Sequence, residues 1–140
     1  MRAKWLATLA LVALSTAVFA DFTQEDWNYL EPFLREMGGR FSFVGSQYRL
    51  ELSGKEYFVD LLLFHRALRC LVALELKIGE FQPEYVGKMQ FYLAVLDDTV
   101  RMPDENPAIG IILCKGKEAT IVGYALRESN KPIGVASYRV

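Results

Sequence analysis

Asp60, Glu75 and Lys77 are ionisable side chains set inside otherwise apolar runs. Asp60 interrupts Val59-Asp60-Leu61-Leu62-Leu63-Phe64, and Glu75 and Lys77 interrupt Leu71-Val72-Ala73-Leu74-Glu75-Leu76-Lys77. Both runs are short and rich in Val, Leu and Phe, which predicts strands. Residues two apart in a strand share a face, so Glu75 and Lys77 project together. A hairpin symmetric about Ala67-Leu68 pairs residue 65 with 70 and Asp60 with Glu75. Directly opposed residues have Cβ atoms about 4.5–5.5 Å apart. Two carboxylates at that separation repel one another, and a divalent cation between them removes the conflict, since hard cations take oxygen ligands. A lysine on the same face supplies positive charge where a phosphate could sit. Carboxylate, carboxylate and lysine around Mg²⁺ make a site for metal-assisted phosphodiester hydrolysis.

The elements that position this trio follow from periodicity. Asp26 to Met37 reads as a helix with Trp27, Leu30, Phe33, Leu34 and Met37 on one face, stopped by Gly38-Gly39. Phe41 to Leu52 reads as a strand turning at Ser53-Gly54-Lys55, followed by strands at Tyr57 to Phe64 and Cys70 to Ile78. Pro83 opens a helix to about Leu96, with Tyr85, Met89, Tyr92, Leu93 and Leu96 at helical spacing. Ala108 to Cys114 and Thr120 to about Tyr124 read as two further strands. The first three strands form a meander. The strand at Ala108 returns through a helical crossover and is expected to run parallel to its neighbour. A three-layer α/β domain with a mixed sheet results.

The chain has 140 residues, 52% of them hydrophobic and 24% charged, with a net charge of −1. That is one globular domain without a global nucleic-acid charge signature. Two cysteines and one histidine, His65, exclude a disulfide framework and a His-rich metal site. Cys70 and Cys114 read as small buried hydrophobes, and His65 as a polar tip of the hairpin. Residues 1–20 resemble a secretory signal. Arg2 and Lys4 precede an uncharged run from Trp5 to Ala20 that ends Val18-Phe19-Ala20, with cleavage expected before Asp21. The apolar run is short for a membrane span. Cleavage would shift the net charge from −1 to −3, the lost positive charges being Arg2 and Lys4.

Asp60, fourteen residues and then Glu75-Leu76-Lys77 resemble the D-x(n)-E-x-K signature of PD-(D/E)XK nucleases. Longer stretches sharpen the resemblance: Phe43-Val44-Gly45-Ser46-Gln47-Tyr48-Arg49-Leu50, Lys55-Glu56-Tyr57-Phe58-Val59, Leu68-Arg69-Cys70, Ile78-Gly79-Glu80-Phe81, Pro83-Glu84-Tyr85 and Pro103-Asp104-Glu105-Asn106-Pro107. Together they are similar to the nuclease domain of YhcG-like bacterial proteins, over about Leu30 to Val140. The resemblance implies a restriction-endonuclease-like α/β core, a mixed central sheet flanked by helices in the order αβββαβ, and metal-dependent DNA cleavage in recombination or repair. Asp60 and Glu75 would bind Mg²⁺, with Mn²⁺ as an alternative and the Leu76 carbonyl as a further ligand. Lys77 would orient or activate the attacking water. Gln90 resembles the polar residue on the helix after the E-x-K strand, and Glu31 the acidic residue of the first helix. Arg49 and Lys88 could contact DNA phosphates, and a homodimer would cut both strands of a duplex.

Two features depart from the family's pattern. The resemblance leads one to expect a winged-helix-like N-terminal domain ahead of the nuclease core, whereas residues 1–20 read as signal-like and point to the periplasm where the family points to the cytoplasm. Ser46 stands where a basic residue is expected in Gly-x-Gln-Tyr. A binding or assembly module on the same fold, or an exported small binding protein, are the competing expectations.

Overall fold

The computed structural model describes residues 40–77 and 79–137. The signal-like segment, the Asp26–Met37 helix and Glu31 lie outside these residues. The described chain runs β1 Phe41–Leu52, β2 Lys55–His65, β3 Cys70–Leu76, α1 Glu84–Thr99, β4 Asn106–Cys114, α2 Ala119–Arg127 and β5 Ile133–Ser137. The five strands form one sheet in the order β1-β2-β3-β4-β5. The first three are antiparallel neighbours, whereas β4 is parallel to β3 and β5 to β4. The meander and the parallel return through a helix are both as the sequence implies.

One sequence expectation fails. Thr120–Tyr124 lies within α2, and the fifth strand is Ile133–Ser137. The β-branched triplet Thr120-Ile121-Val122 suggests a strand, yet Val122, Ala125 and Leu126 recur at helical spacing and pack on the core. A helix is also what a parallel β4–β5 pair requires as its crossover. The described order is therefore βββαβαβ.

Both turns of the meander have clear local causes. Ser53 and Gly54, at φ of 52° and 75°, form a two-residue turn between the paired Leu52 and Lys55. Two consecutive positive φ values give the turn twist that matches paired strands. At the other turn, His65 pairs with Cys70, and the His65 Nδ1 accepts a hydrogen bond from the Leu68 amide at 3.0 Å. His65 is thus a polar tip that holds its own hairpin.

Apolar alternation in the strands builds a cluster on each face of the sheet. The first joins Leu62, Leu71, Ala73 and Ile112 to Val86, Met89, Tyr92, Leu93 and Leu96 of α1. Helix α1 comes so close to β4 that a Cβ on Gly110 would lie 2.6 Å from the Met89 thioether. Asp97 fastens the C-terminal part of α1 to the sheet by accepting the Ala108 amide at 2.8 Å and pairing with Lys131 at 3.4 Å. The second cluster is Leu61, Leu63, Cys70, Val72, Leu74, Leu76 and Leu113, all from β2, β3 and β4. Both described helices pack on the first face.

Candidate active site

The β2–β3 ladder runs from His65 and Cys70 to Leu61 and Leu74. Continued by one step, this register sets Asp60 opposite Glu75. On the other side, Ser46 pairs with Leu61 and Tyr48 with Val59, which sets Gln47 opposite Asp60. The ladder opens at that point, and Gln47 takes a left-handed φ of 47°. The inside–outside alternation of β2 breaks there too: Val59 and Leu62 join the first cluster, and Leu61 and Leu63 the second. Asp60 thus sits within β2 at the break in its inside–outside alternation.

Side chains take over where the ladder stops. The Leu76 amide donates to Asp60 Oδ2 at 2.8 Å, and Gln47 Nε2 donates to Asp60 Oδ1 at 3.3 Å. The Lys77 amide donates to the Leu113 carbonyl at 2.8 Å. In a parallel ladder alternate residues bond to the same neighbour, so Leu76 turns its own backbone groups to the β2 side. Its carbonyl is thereby directed to the region of Asp60.

Asp60 is 7% and Glu75 4% exposed, and they are the buried charged residues among those described. Glu75 Oε1 is buried without a hydrogen-bond partner. Burial first, then the hydrogen bond and charge of Asp60, push the Glu75 carboxyl up to about 9; the charges of Lys88 and Lys77 oppose this. Lys77 follows β3 directly, and its Nζ lies 4.6 Å from the centre of the Tyr85 ring. Lys88 Nζ lies 5.5 Å from the centre of the Tyr92 ring. Desolvation alone would lower Lys88, but the charge of Glu75, Tyr92 and Asp60 together raise it. Burial and the charge of Glu75 raise Tyr92. Two lysines, each lying over a tyrosine of α1, thus act on one carboxyl pair.

The structure brings together Asp60, Glu75, Leu76, Lys77 and Lys88. Gln90 stands half-buried on α1, at a different helical phase from Lys88. At about 100° per residue, Gln90 lies roughly 200° round α1 from both Lys88 and Tyr92. Arg49 is elsewhere, exposed on β1 with Glu51 at 2.6 Å and Glu56 at 2.8 Å, so its charge is met by two acids of its own hairpin. Gln47 and Tyr92 are additions that sequence reasoning passed over as site residues. Both were accessible: counting back from the Ser53-Gly54 turn sets 47 against 60, and Tyr92 follows Lys88 at the helical i, i+4 spacing.

A mixed sheet whose meander and parallel crossover join an acid, a second acid and a lysine at one broken ladder is the restriction-endonuclease-like arrangement of PD-(D/E)XK nucleases. The chain belongs to the YhcG PDDEXK nuclease domain family, whose model matches residues 10–140. It is 40% identical over 121 residues to the protein named "Putative nuclease YhcG" of Escherichia coli (strain K12); that alignment covers 86% of this chain and 32% of the relative. The chain thus spans about a third of that relative's length. A crystal structure of a repair endonuclease from Pyrococcus abyssi aligns with a TM-score of 0.48 and 13% identity, over 86% of this chain and 49% of that one. A likeness of that size carries no functional weight.

Proposed function

We propose that this chain is a divalent-cation-dependent endodeoxyribonuclease domain, with Mg²⁺ as its working ion and Mn²⁺ as a substitute. The observation that carries the reading is the Asp60–Glu75 pair: two acids, both buried, forced together at the end of a ladder, with Glu75 Oε1 left unpartnered. A buried carboxyl without a partner is costly for stability alone. Among the described residues no three His, Cys, Asp or Glu side chains cluster as a metal site. A third protein ligand would therefore be a neutral oxygen, and the Leu76 carbonyl is suitably directed. Two carboxylates and a carbonyl are the hard donors that Mg²⁺ and Mn²⁺ take. Such a cation would neutralise the two acids, polarise the scissile phosphate and acidify the attacking water.

The remaining work falls to the protein's own groups. Gln47 and the Leu76 amide fix the Asp60 carboxylate from both sides, so its orientation does not depend on the substrate. Lys77 shares a face with Glu75, and its ammonium stabilises the charge that the phosphate gains in the transition state. Lys88 approaches the same carboxyl from α1 and offers a second contact for a phosphate oxygen. DNA is the substrate that this charge arrangement and the family membership favour.

Cleavage of plasmid and branched DNA in Mg²⁺ tests the reading, with binding measured separately in Ca²⁺. Lys77→Ala is expected to lose cleavage by about 10²–10³-fold while keeping cation and DNA binding. Asp60→Asn is expected to lose both cleavage and cation binding. Cleavage by Lys77→Ala at the wild-type rate overturns the assignment of that residue. DNA binding by a wild type that never cuts overturns the nuclease reading in favour of a binding module.

A further inference from the structure

The first-face cluster leaves one large aromatic of α1 out of the core. Phe91 is 36% exposed, yet it is one residue before Tyr92, which is 2% exposed and lies under Lys88 within the field of Glu75. The Phe91 ring meets the Tyr57 ring of β2 at 4.9 Å between centroids, edge to face, and the Tyr92 ring at 6.2 Å. Tyr57 is half-buried and packs against the first cluster. The three rings form a row, Tyr92, Phe91 and Tyr57, with Lys88 over its Tyr92 end. Lys88 stands three residues before Phe91, on the neighbouring face of the helix.

Phe91 packs on Tyr57 and Tyr92, yet about a third of it stays open to water. A partly accessible aromatic ring one helical turn from a lysine is the pairing of chemistries that single-stranded nucleic acid uses. Bases stack on the ring, and the backbone phosphate meets the charge. A base inside a duplex is already stacked on its neighbours and cannot offer that face. We propose that Phe91 and Tyr57 form a stacking subsite for an unpaired nucleobase, with the adjoining phosphate at Lys88. The domain would then favour DNA that is single-stranded or splayed at the point of attack over continuous duplex. This rests on the nuclease reading for the position of the scissile phosphate, and the charge beside the rings favours a nucleotide over an uncharged apolar peptide.

The test is fluorescence anisotropy of the full chain in Ca²⁺ with three labelled probes: a single-stranded oligonucleotide, the same strand carrying abasic residues, and a duplex. The wild type is expected to bind the base-bearing single strand roughly ten-fold more tightly than the abasic strand. Phe91→Leu, which keeps an apolar side chain at an exposed helical position, is expected to erase that difference and leave duplex binding unchanged. Phe91→Trp is expected to retain it, with quenching of the indole when the single strand is added. Equal binding of the base-bearing and abasic strands by wild type and Phe91→Leu alike overturns the subsite. Duplex cleavage in Mg²⁺ by a wild type with no such preference overturns the subsite alone. The ten-fold preference in a wild type that never cleaves upholds the subsite and overturns the nuclease reading instead.

Discussion

Glu75 couples the site to stability through the proton it keeps. With its carboxyl raised from 4.5 to about 9 by burial and by Asp60, the folded, cation-free protein holds a proton that the unfolded chain has released. The folded state binds more protons in this window, so stability falls as pH rises from the unfolded value through the folded one. Thermal melting in a chelator should therefore show a midpoint that drops between about pH 5 and pH 9. Glu75→Gln should flatten that slope and melt above wild type at the alkaline end. Adding Mg²⁺ to the wild type should restore more stability at the alkaline end than at the acid end, because cation and proton compete for the same oxygens. Equal slopes for wild type and variant would show that Glu75 is not the group responsible. The opposition of Asp60 and Glu75 was legible in the sequence because a hairpin needs only its turn and its pairing rule. Gln90 was assigned by resemblance and not by helical phase, and phase turns it away from Lys88 and Tyr92.

The β1–β2 hairpin sets the partner of Asp60 by counting, and its turn does the counting. Ser53 and Gly54 both lie at positive φ, and the Leu52–Lys55 pair closing the turn fixes Gln47 across from Asp60. A Cβ on Gly54 would meet nothing within 4 Å, so the constraint there is conformational and not steric crowding. Gly54→Ala is therefore expected to lower stability by about 1 kcal/mol. Chemical denaturation should show a shifted midpoint with an unchanged slope, since the surface exposed on unfolding is the same. A variant as stable as wild type would mean that the turn relaxes to another form. The Ser-Gly turn could be read from residue types, as could the parallel return of β4. The helix at Ala119–Arg127 could not, because the β-branched Thr120-Ile121-Val122 near its start carry strand propensity while its packing face decides the outcome. Local preference lost there to the need for a crossover between two parallel strands.

Across the molecule, burial is distributed unevenly, and opening should follow that distribution. Strand β3 is buried at all seven positions, flanked by β2 and β4 in the sheet and covered by α1 on the first face. Helix α2 has no buried residue, and β5 is exposed or half-buried along its whole length at the edge of the sheet. They are tied to the rest by the β4–β5 ladder, by Lys117 Nζ donating to the Val135 carbonyl at 3.0 Å, by the Lys131–Asp97 pair, and by the partly buried Val122, Ala125, Leu126, Ile133 and Val135 on the first cluster. Sub-global opening costs least where few apolar contacts are lost, so α2 and β5 should form one low-stability unit. The unit carrying Asp60, Glu75 and Lys77 should open only with the whole domain. Native-state hydrogen exchange reads this directly: amides of α2 and β5 should exchange well before those of β3, with a weak dependence on denaturant. Amides of β3 should approach the global unfolding limit. Protection of α2 and β5 equal to that of β3 would mean that the domain opens as a single cooperative unit. In that case the edge strand would be held as firmly as the strands bearing the carboxyl pair.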